Sequence, residues 1–220
     1  MALLIQRSKR LRRGKWTALG RYATARGAAR QPHSCLGHAR FVLGIMGCVV
    51  LWSWLAAPAE LTVAREYQVK AIFLYNFAQF VTWPATAFAD ERTPITIGIL
   101  GDDPFGPFLK EAVRGEVIDG RALTIKRYKR VEEAIDSHLL FISKSERGHL
   151  AQILADVQGK SILTVGETEA FAHHGGIINL ITVDNKVRYE INLDAARRAH
   201  LDISSKLLSL AKIVSTERDN

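Results

Sequence analysis

The stretch "FAHHGGIINL" sets two adjacent histidines, His173 and His174, against two glycines, Gly175 and Gly176. Paired imidazoles are suited to metal ligation or acid–base work, and a glycine pair can turn backbone N–H groups toward an oxyanion. The surroundings argue against both chemistries. Adjacent residues on a helix point about 100° apart, so a rigid helix does not bring both rings onto one ion. The other histidines after residue 60 are His138, His149 and His200, and neither H-x-x-x-H nor H-E-x-x-H occurs. No G-x-S-x-G places a nucleophile at a strand-to-helix turn. The stretch therefore reads as the end of a short helix, with Gly175 at the position that needs a positive φ. The two imidazoles then sit at the negative end of the helix dipole. No catalytic residue, metal or cofactor is expected, and His173 and His174 are retained as candidates for a ligand or partner pocket.

A second candidate is "KVRYEINLDAARRAHL". Along a strand, Arg188, Glu190 and Asn192 share one face, and Val187, Tyr189 and Ile191 share the other. The polar set reads either as a half-exposed edge strand or as a recognition strip, and Asn192 or Asp194 can cap the following helix. The loop "GILGDDPFG" sits where a dinucleotide fold would bind pyrophosphate, but it lacks G-x-G-x-x-G, and Asp102 and Asp103 would repel phosphate. It reads as a strand-to-helix turn, with Asp103 as cap and Pro104 at the first helical position.

These residues need a scaffold, and its elements alternate. "EYQVKAIFLYNFAQFVTWP" predicts a helix from Glu66 to Trp83, ended by Pro84. Its polar stripe is narrow, so the helix is deeply buried or covered by a partner. Phe73, Phe77, Phe80 and Trp83 are its candidates for core, dimer or partner surface. Strands follow at "PITIGILG", "ALTIKRYK", "HLLFIS" and "SILTVG", separated by helical stretches. That order predicts a parallel sheet covered on both faces. "GIINLITVDNKVRYEINL" predicts a hairpin turning at Asp184–Asn185. Two helices, "LDAARRAHL" and "ISSKLLSLAKIV", close the chain. The fold class is α/β, a single three-layer α/β/α domain with a mostly parallel sheet, a C-terminal β-hairpin and two terminal helices.

Charge separates the chain into two parts. The net charge of the 220 residues is +8. Residues 1–59 hold ten Lys/Arg and no Asp or Glu, leaving 20 basic against 22 acidic side chains in the rest. A nearly neutral body has no electrostatic footprint for nucleic acid. The basic segment precedes "FVLGIMGCVVLWSWL" and then "AAPAE", the layout of a secretory signal with an A-x-A junction at Ala57 and Ala59. Residues 1–59 are expected to be this signal and 60–220 the exported, periplasmic domain. Both cysteines, Cys35 and Cys48, fall inside the signal, so the exported domain would have no thiol chemistry.

Four blocks, "EYQVKAIFLYNFAQFVTWP", "ITIGILGDDPFG", "ILTVGETEAFAHHGGIINLI" and "VRYEINLDAARRAHLDISSKLLSLAKIV", together resemble the YfiR/HmsC-like periplasmic regulators, from about Arg65 to Val214. The resemblance implies a non-enzymatic α/β protein that binds the periplasmic sensor domain of an inner-membrane diguanylate cyclase and represses it. It implies lower cyclic-di-GMP, less biofilm and a homodimer. It also implies disulfide-based redox sensitivity, from which this chain departs because no cysteine follows residue 48. Two other classes stay open. One is a periplasmic small-molecule-binding protein serving a sensor kinase or an outer-membrane transport system. The other is an exported hydrolase using His173 or His174.

Overall fold

The computed structural model describes residues 57–216, with side chains from residue 62. The basic segment, the apolar run 41–55 and both cysteines lie outside the described residues. Among the described residues no helix is long and apolar enough to cross a membrane.

Helix α1 (Ala57–Phe80) is the longest element. It stops three residues before the expected Trp83, because Val81–Thr82 forms strand β1. Both residues are β-branched, and Pro84 disfavours helical geometry at the residue before it. β1 pairs antiparallel with β9 (Asp202–Ile203), and the Ser204 N–H donates to the Phe80 carbonyl at 3.0 Å, occupying an acceptor the helix end leaves open.

The main sheet contains β2 (Ile95–Leu100), β3 (Val117–Ile118), β4 (Arg121–Tyr128), β5 (Leu139–Ile142), β6 (Leu163–Gly166), β7 (Ile178–Val183), β8 (Lys186–Asn192) and β10 (Lys212–Val214). Its order is β10-β8-β7-β6-β5-β2-β4-β3. The pairs β2–β4, β2–β5, β5–β6 and β6–β7 are parallel, as the alternation of elements predicts. The β7–β8 hairpin is antiparallel and turns at Asp184 and Asn185, with φ of 49° and 57°. Two consecutive left-handed residues make the type I′ turn that matches strand twist.

Side chains divide between the two sheet faces with period two. Ile97, Ile99, Leu139, Phe141, Val165, Ile178, Leu180, Tyr189 and Ile191 pack with Leu74 and Phe77 of α1. Leu100, Leu140 and Ile142 meet a second cluster, built by α3 (Val131–Ala134), α4 (Leu150–Asp156) and Phe171. This is the three-layer arrangement expected from the sequence.

Several local readings are corrected. The helix after β2 is α2 (Pro107–Ala112), with Gly106 as its cap and Pro107 at its start. Asp103 instead accepts the Phe105 N–H at 2.8 Å in a local turn and binds Arg127. Residues 167–176 form turns rather than a helix, because Ala170 adopts φ 56° and breaks the right-handed path. The last expected helix shrinks to α6 (Ser205–Leu208), after α5 (Leu193–Arg198). Lys212–Val214 leaves the helical period and pairs parallel with β8. β8 is consequently an interior strand, not the edge strand that its alternation suggested.

His138 is a satisfied core histidine. Its Nδ1 accepts the Thr96 N–H at 3.1 Å and its Nε2 lies 3.1 Å from the Ala87 carbonyl, which fixes the neutral Nε2–H tautomer. Phe88 stacks on the ring and Trp83 meets it edge-on. Burial pushes its pKa below 6.5, assisted by the Arg121 charge and opposed by the Ala87 carbonyl. The unfolded chain therefore binds a proton that the folded chain refuses. Stability attributable to this group is complete above pH 6.5 and declines as pH falls below it. In urea titrations between pH 7.5 and pH 5 (about one unit above and one and a half below an ordinary histidine pKa), the wild-type midpoint should fall with acidification. His138→Asn, which keeps an acceptor without a titrating ring, should show a shallower dependence, and parallel slopes would contradict the assignment.

Candidate functional site

At the end of the parallel strands, a buried charge cluster joins α1 to β6. Glu66 and Lys70 lie one helical turn apart, so both point off the same face of α1. Glu167 directly follows the last residue of β6. Lys70 Nζ lies between the two carboxylates, 2.5 Å from Glu66 Oε1 and paired with Glu167 Oε2. Lys70 is 1% exposed and Glu167 7%. Tyr67 Oη donates to Glu167 Oε1 at 3.0 Å, and Thr182 Oγ1 donates to Glu66 Oε1 at 2.9 Å. Lys144 approaches Glu167 from the solvent side at 3.8 Å. Burial alone would raise the Glu66 pKa, but its bonds to Lys70 and Thr182 outweigh burial and hold it below the ordinary value. Burial and the Glu167 charge push the Tyr67 phenol well upward, so it acts as a fixed donor.

A second polar row crosses the sheet on the face opposite α1. Register places Gly166, Asn179, Glu190 and Lys212 side by side on β6, β7, β8 and β10. Asn179 Nδ2 donates to Glu190 Oε2 at 3.1 Å, and Lys212 Nζ reaches Glu190 Oε1 at 2.8 Å. Burial works to raise the Glu190 pKa; these two bonds, with the charge of Lys212, bring it below the ordinary value. The row and the α1 cluster open onto one cleft of about 740 Å³, roofed by Thr168, Glu169, Ala170 and His173. The roof is anchored by Phe171, whose ring lies on Gly166 and Gly176. A Cβ added there would come within 2.4 Å and 2.1 Å of the ring. The second glycine of "HHGG" is therefore a seat for Phe171, while Gly175 takes the expected positive φ, at 100°.

The residues singled out in the sequence separate in space. His173 and Glu190 line this cleft. His174 points elsewhere, into a different cleft beside Arg198. Arg188 is exposed near the hairpin turn, opposite Ile181. Asn192 is fully buried: Oδ1 caps α5 through the Ala195 N–H at 2.9 Å, and Nδ2 donates to the Ala172 carbonyl at 2.7 Å. Its place is structural, which corrects the reading of a continuous strip. Phe77 is 0% exposed and Trp83 8%, so neither offers a surface. Phe77 meets the Tyr189 ring at 5.2 Å, and Trp83 Nε1 donates to the His138 carbonyl. Phe73 and Phe80 are half-buried against the same core. The outward apolar residues of α1 are Val63, Val69 and Ile72.

Lys70, Glu167 and Asn179 were not singled out by sequence reasoning. A signal existed for one pair: Glu66 and Lys70 interrupt an otherwise apolar circumference, and a charge on a buried face must find a partner. Nothing local marks Glu167 or Asn179.

The family model described as YfiR/HmsC-like matches residues 67–212. The chain belongs to the YfiR/HmsC-like family. The match runs from Tyr67 to Lys212, so it takes in the polar network except Glu66, which lies one residue outside it. A comparison with curated protein sequences returns no match. Among solved structures, the chain is similar to a conserved domain protein from Vibrio cholerae, with 12% identity, a TM-score of 0.42 and 54% of each chain covered. It is also similar to the ABC domain in complex with L-Trp from Streptococcus pneumonia, with 11% identity, a TM-score of 0.40, and 54% of this chain and 55% of that one covered. The chain spans about half the length of these two structures.

Proposed function

We propose that residues 1–59 export the chain to the periplasm, where residues 60–220 bind the periplasmic sensor domain of an inner-membrane diguanylate cyclase and hold it inactive. The observation carrying this reading is the YfiR/HmsC-like match across residues 67–212. The protein acts by occupation rather than turnover. It represses by binding the inactive sensor more tightly than the active one, since a ligand shifts an equilibrium only through differential affinity. The contact surface is the outward face of α1, where Val63, Val69 and Ile72 are exposed. Self-association as a homodimer belongs to the same proposal. Control does not use a thiol, because residues 60–220 contain no cysteine.

The test is genetic. Removing the gene should raise cellular cyclic-di-GMP and biofilm mass, and the exported chain should restore both. A version lacking residues 1–59 should not. An unchanged nucleotide level in the deletion, or rescue by the unexported form, would overturn the proposal. A second reading, a periplasmic small-molecule-binding protein serving a sensor kinase or outer-membrane transport system, is favoured by the cleft beside Asn179.

A further inference from the structure

The cleft has acceptors that lack donors. Asn179 is 2% exposed on an interior strand; its Nδ2 is committed to Glu190, while its Oδ1 has no partner. Thr168 Oγ1 is likewise buried without a partner, and both residues line the same cleft. A buried acceptor left unmet costs free energy, and Asn179 cannot leave its strand to meet water.

The surrounding charge selects the sign of the ligand. Glu66, Glu167, Glu169 and Glu190 line the cleft with Lys70 and Lys144, and Lys212 reaches Glu190 from β10. Four carboxylates therefore face three ammonium groups and one imidazole, that of His173. The hydrogen bonds select its shape. Both oxygens of Glu167 are engaged, by Tyr67 and Lys70, and both of Glu190, by Asn179 and Lys212. Among the buried carboxylates a planar guanidinium, which favours a free carboxylate fork, finds none; Glu169, whose carboxylate is open, is exposed. An ammonium group is a point charge with three donors and no acceptor. It suits two separate neutral oxygens plus a spare carboxylate lone pair.

We propose that the cleft between α1, the 167–176 turns and the β7–β8 hairpin binds an alkylammonium group, with Asn179 Oδ1 and Thr168 Oγ1 as acceptors. The group comes from a free aliphatic amine or from a lysine side chain, which share this chemistry. The proposal rests on the cleft alone and not on the cyclase reading.

Titration calorimetry on the exported chain tests it with 1,5-diaminopentane, a lysine-containing peptide and the same peptide carrying arginine. Saturable binding of the diamine or of the lysine peptide is expected, and the tighter of the two identifies the source. Asn179→Leu and Thr168→Val should each weaken binding by at least about ten-fold, the loss expected for a hydrogen bond to a charged group. Thr168→Val, on a turn outside the sheet, keeps the test valid if Asn179→Leu fails to fold. Absence of saturation by either amine up to about 10 mM, unchanged affinity in Thr168→Val, or equal binding of the arginine peptide would overturn the proposal.

Discussion

Lys70→Met should destabilise the fold by about 3–5 kcal/mol, the loss expected when one partner of a buried ion pair is removed. The attraction between Lys70 and its carboxylates is not the main source of this cost. Methionine fills much of the same space, so packing loss is modest. The cost arises because Glu167, 7% exposed, keeps a charge with one hydrogen bond from Tyr67 and a cation 3.8 Å away on the exposed Lys144. Removing that charge as well should recover most of the loss. In Lys70→Met/Glu167→Gln, the amide oxygen can still accept from Tyr67, and nothing ionised is left unpaired at that position. Urea denaturation of the two variants and the wild type measures both effects. A single variant within about 1 kcal/mol of wild type would place the pair among exposed bridges that contribute little. A double variant no more stable than the single would show that Glu167 charge is not the cause.

The second large effect lies at Phe171. This ring is 0% exposed and rests on Gly166 and Gly176. Phe171→Ala should cost about 3–5 kcal/mol through lost burial and the cavity left behind. Gly176→Ala should cost about 1–3 kcal/mol, because its Cβ would stand 2.1 Å from the ring and the ring has no free space to enter. The two substitutions act on one volume. In Phe171→Ala/Gly176→Ala the added methyl no longer meets a ring, so the double variant should be more stable than the two single effects summed. Strict additivity would show that Gly176 is needed for a reason other than the ring. Because this ring holds down the 167–176 turns, both single variants should also weaken any ligand held beneath them.

The alternation of short apolar runs with helical stretches carried the layer architecture, and it held because the central parallel strands β2, β5 and β6 bury both faces. The Asp184–Asn185 turn was legible because its residue types tolerate left-handed geometry. Three local misreadings have identifiable physical origins. Leu207, Leu208, Leu210, Ala211 and Val214 have a helical period, but β8 offers an open ladder that Lys212–Val214 fills. Ala170 is a good helix former, yet it takes φ 56° within the turns that seat Phe171 on Gly166 and Gly176. Asp103 looks like a cap, yet Gly106 and Pro107 supply a later start for α2.

The site was less legible than the fold. Glu190 and His173 were visible as polar residues in a patterned context. Asn192 was visible for the same reason and proved to be a cap. Lys70, Glu167 and Asn179 meet only because α1 crosses the end of β6 and β7 follows β6 in register. The pairing of Lys70 with Glu167 spans 97 positions in the chain. No local pattern encodes such a meeting; it is a product of strand order.

The proposed activity is repression of a membrane diguanylate cyclase by occupation of its periplasmic domain. It is tested most directly by reconstituting that cyclase in liposomes, sensor domain outward, and measuring GTP turnover inside while the exported chain is added outside. A saturable fall in cyclic-di-GMP production is expected, weakened when Val69 and Ile72 are both replaced by glutamate. Turnover that stays constant at every concentration of the chain would contradict it.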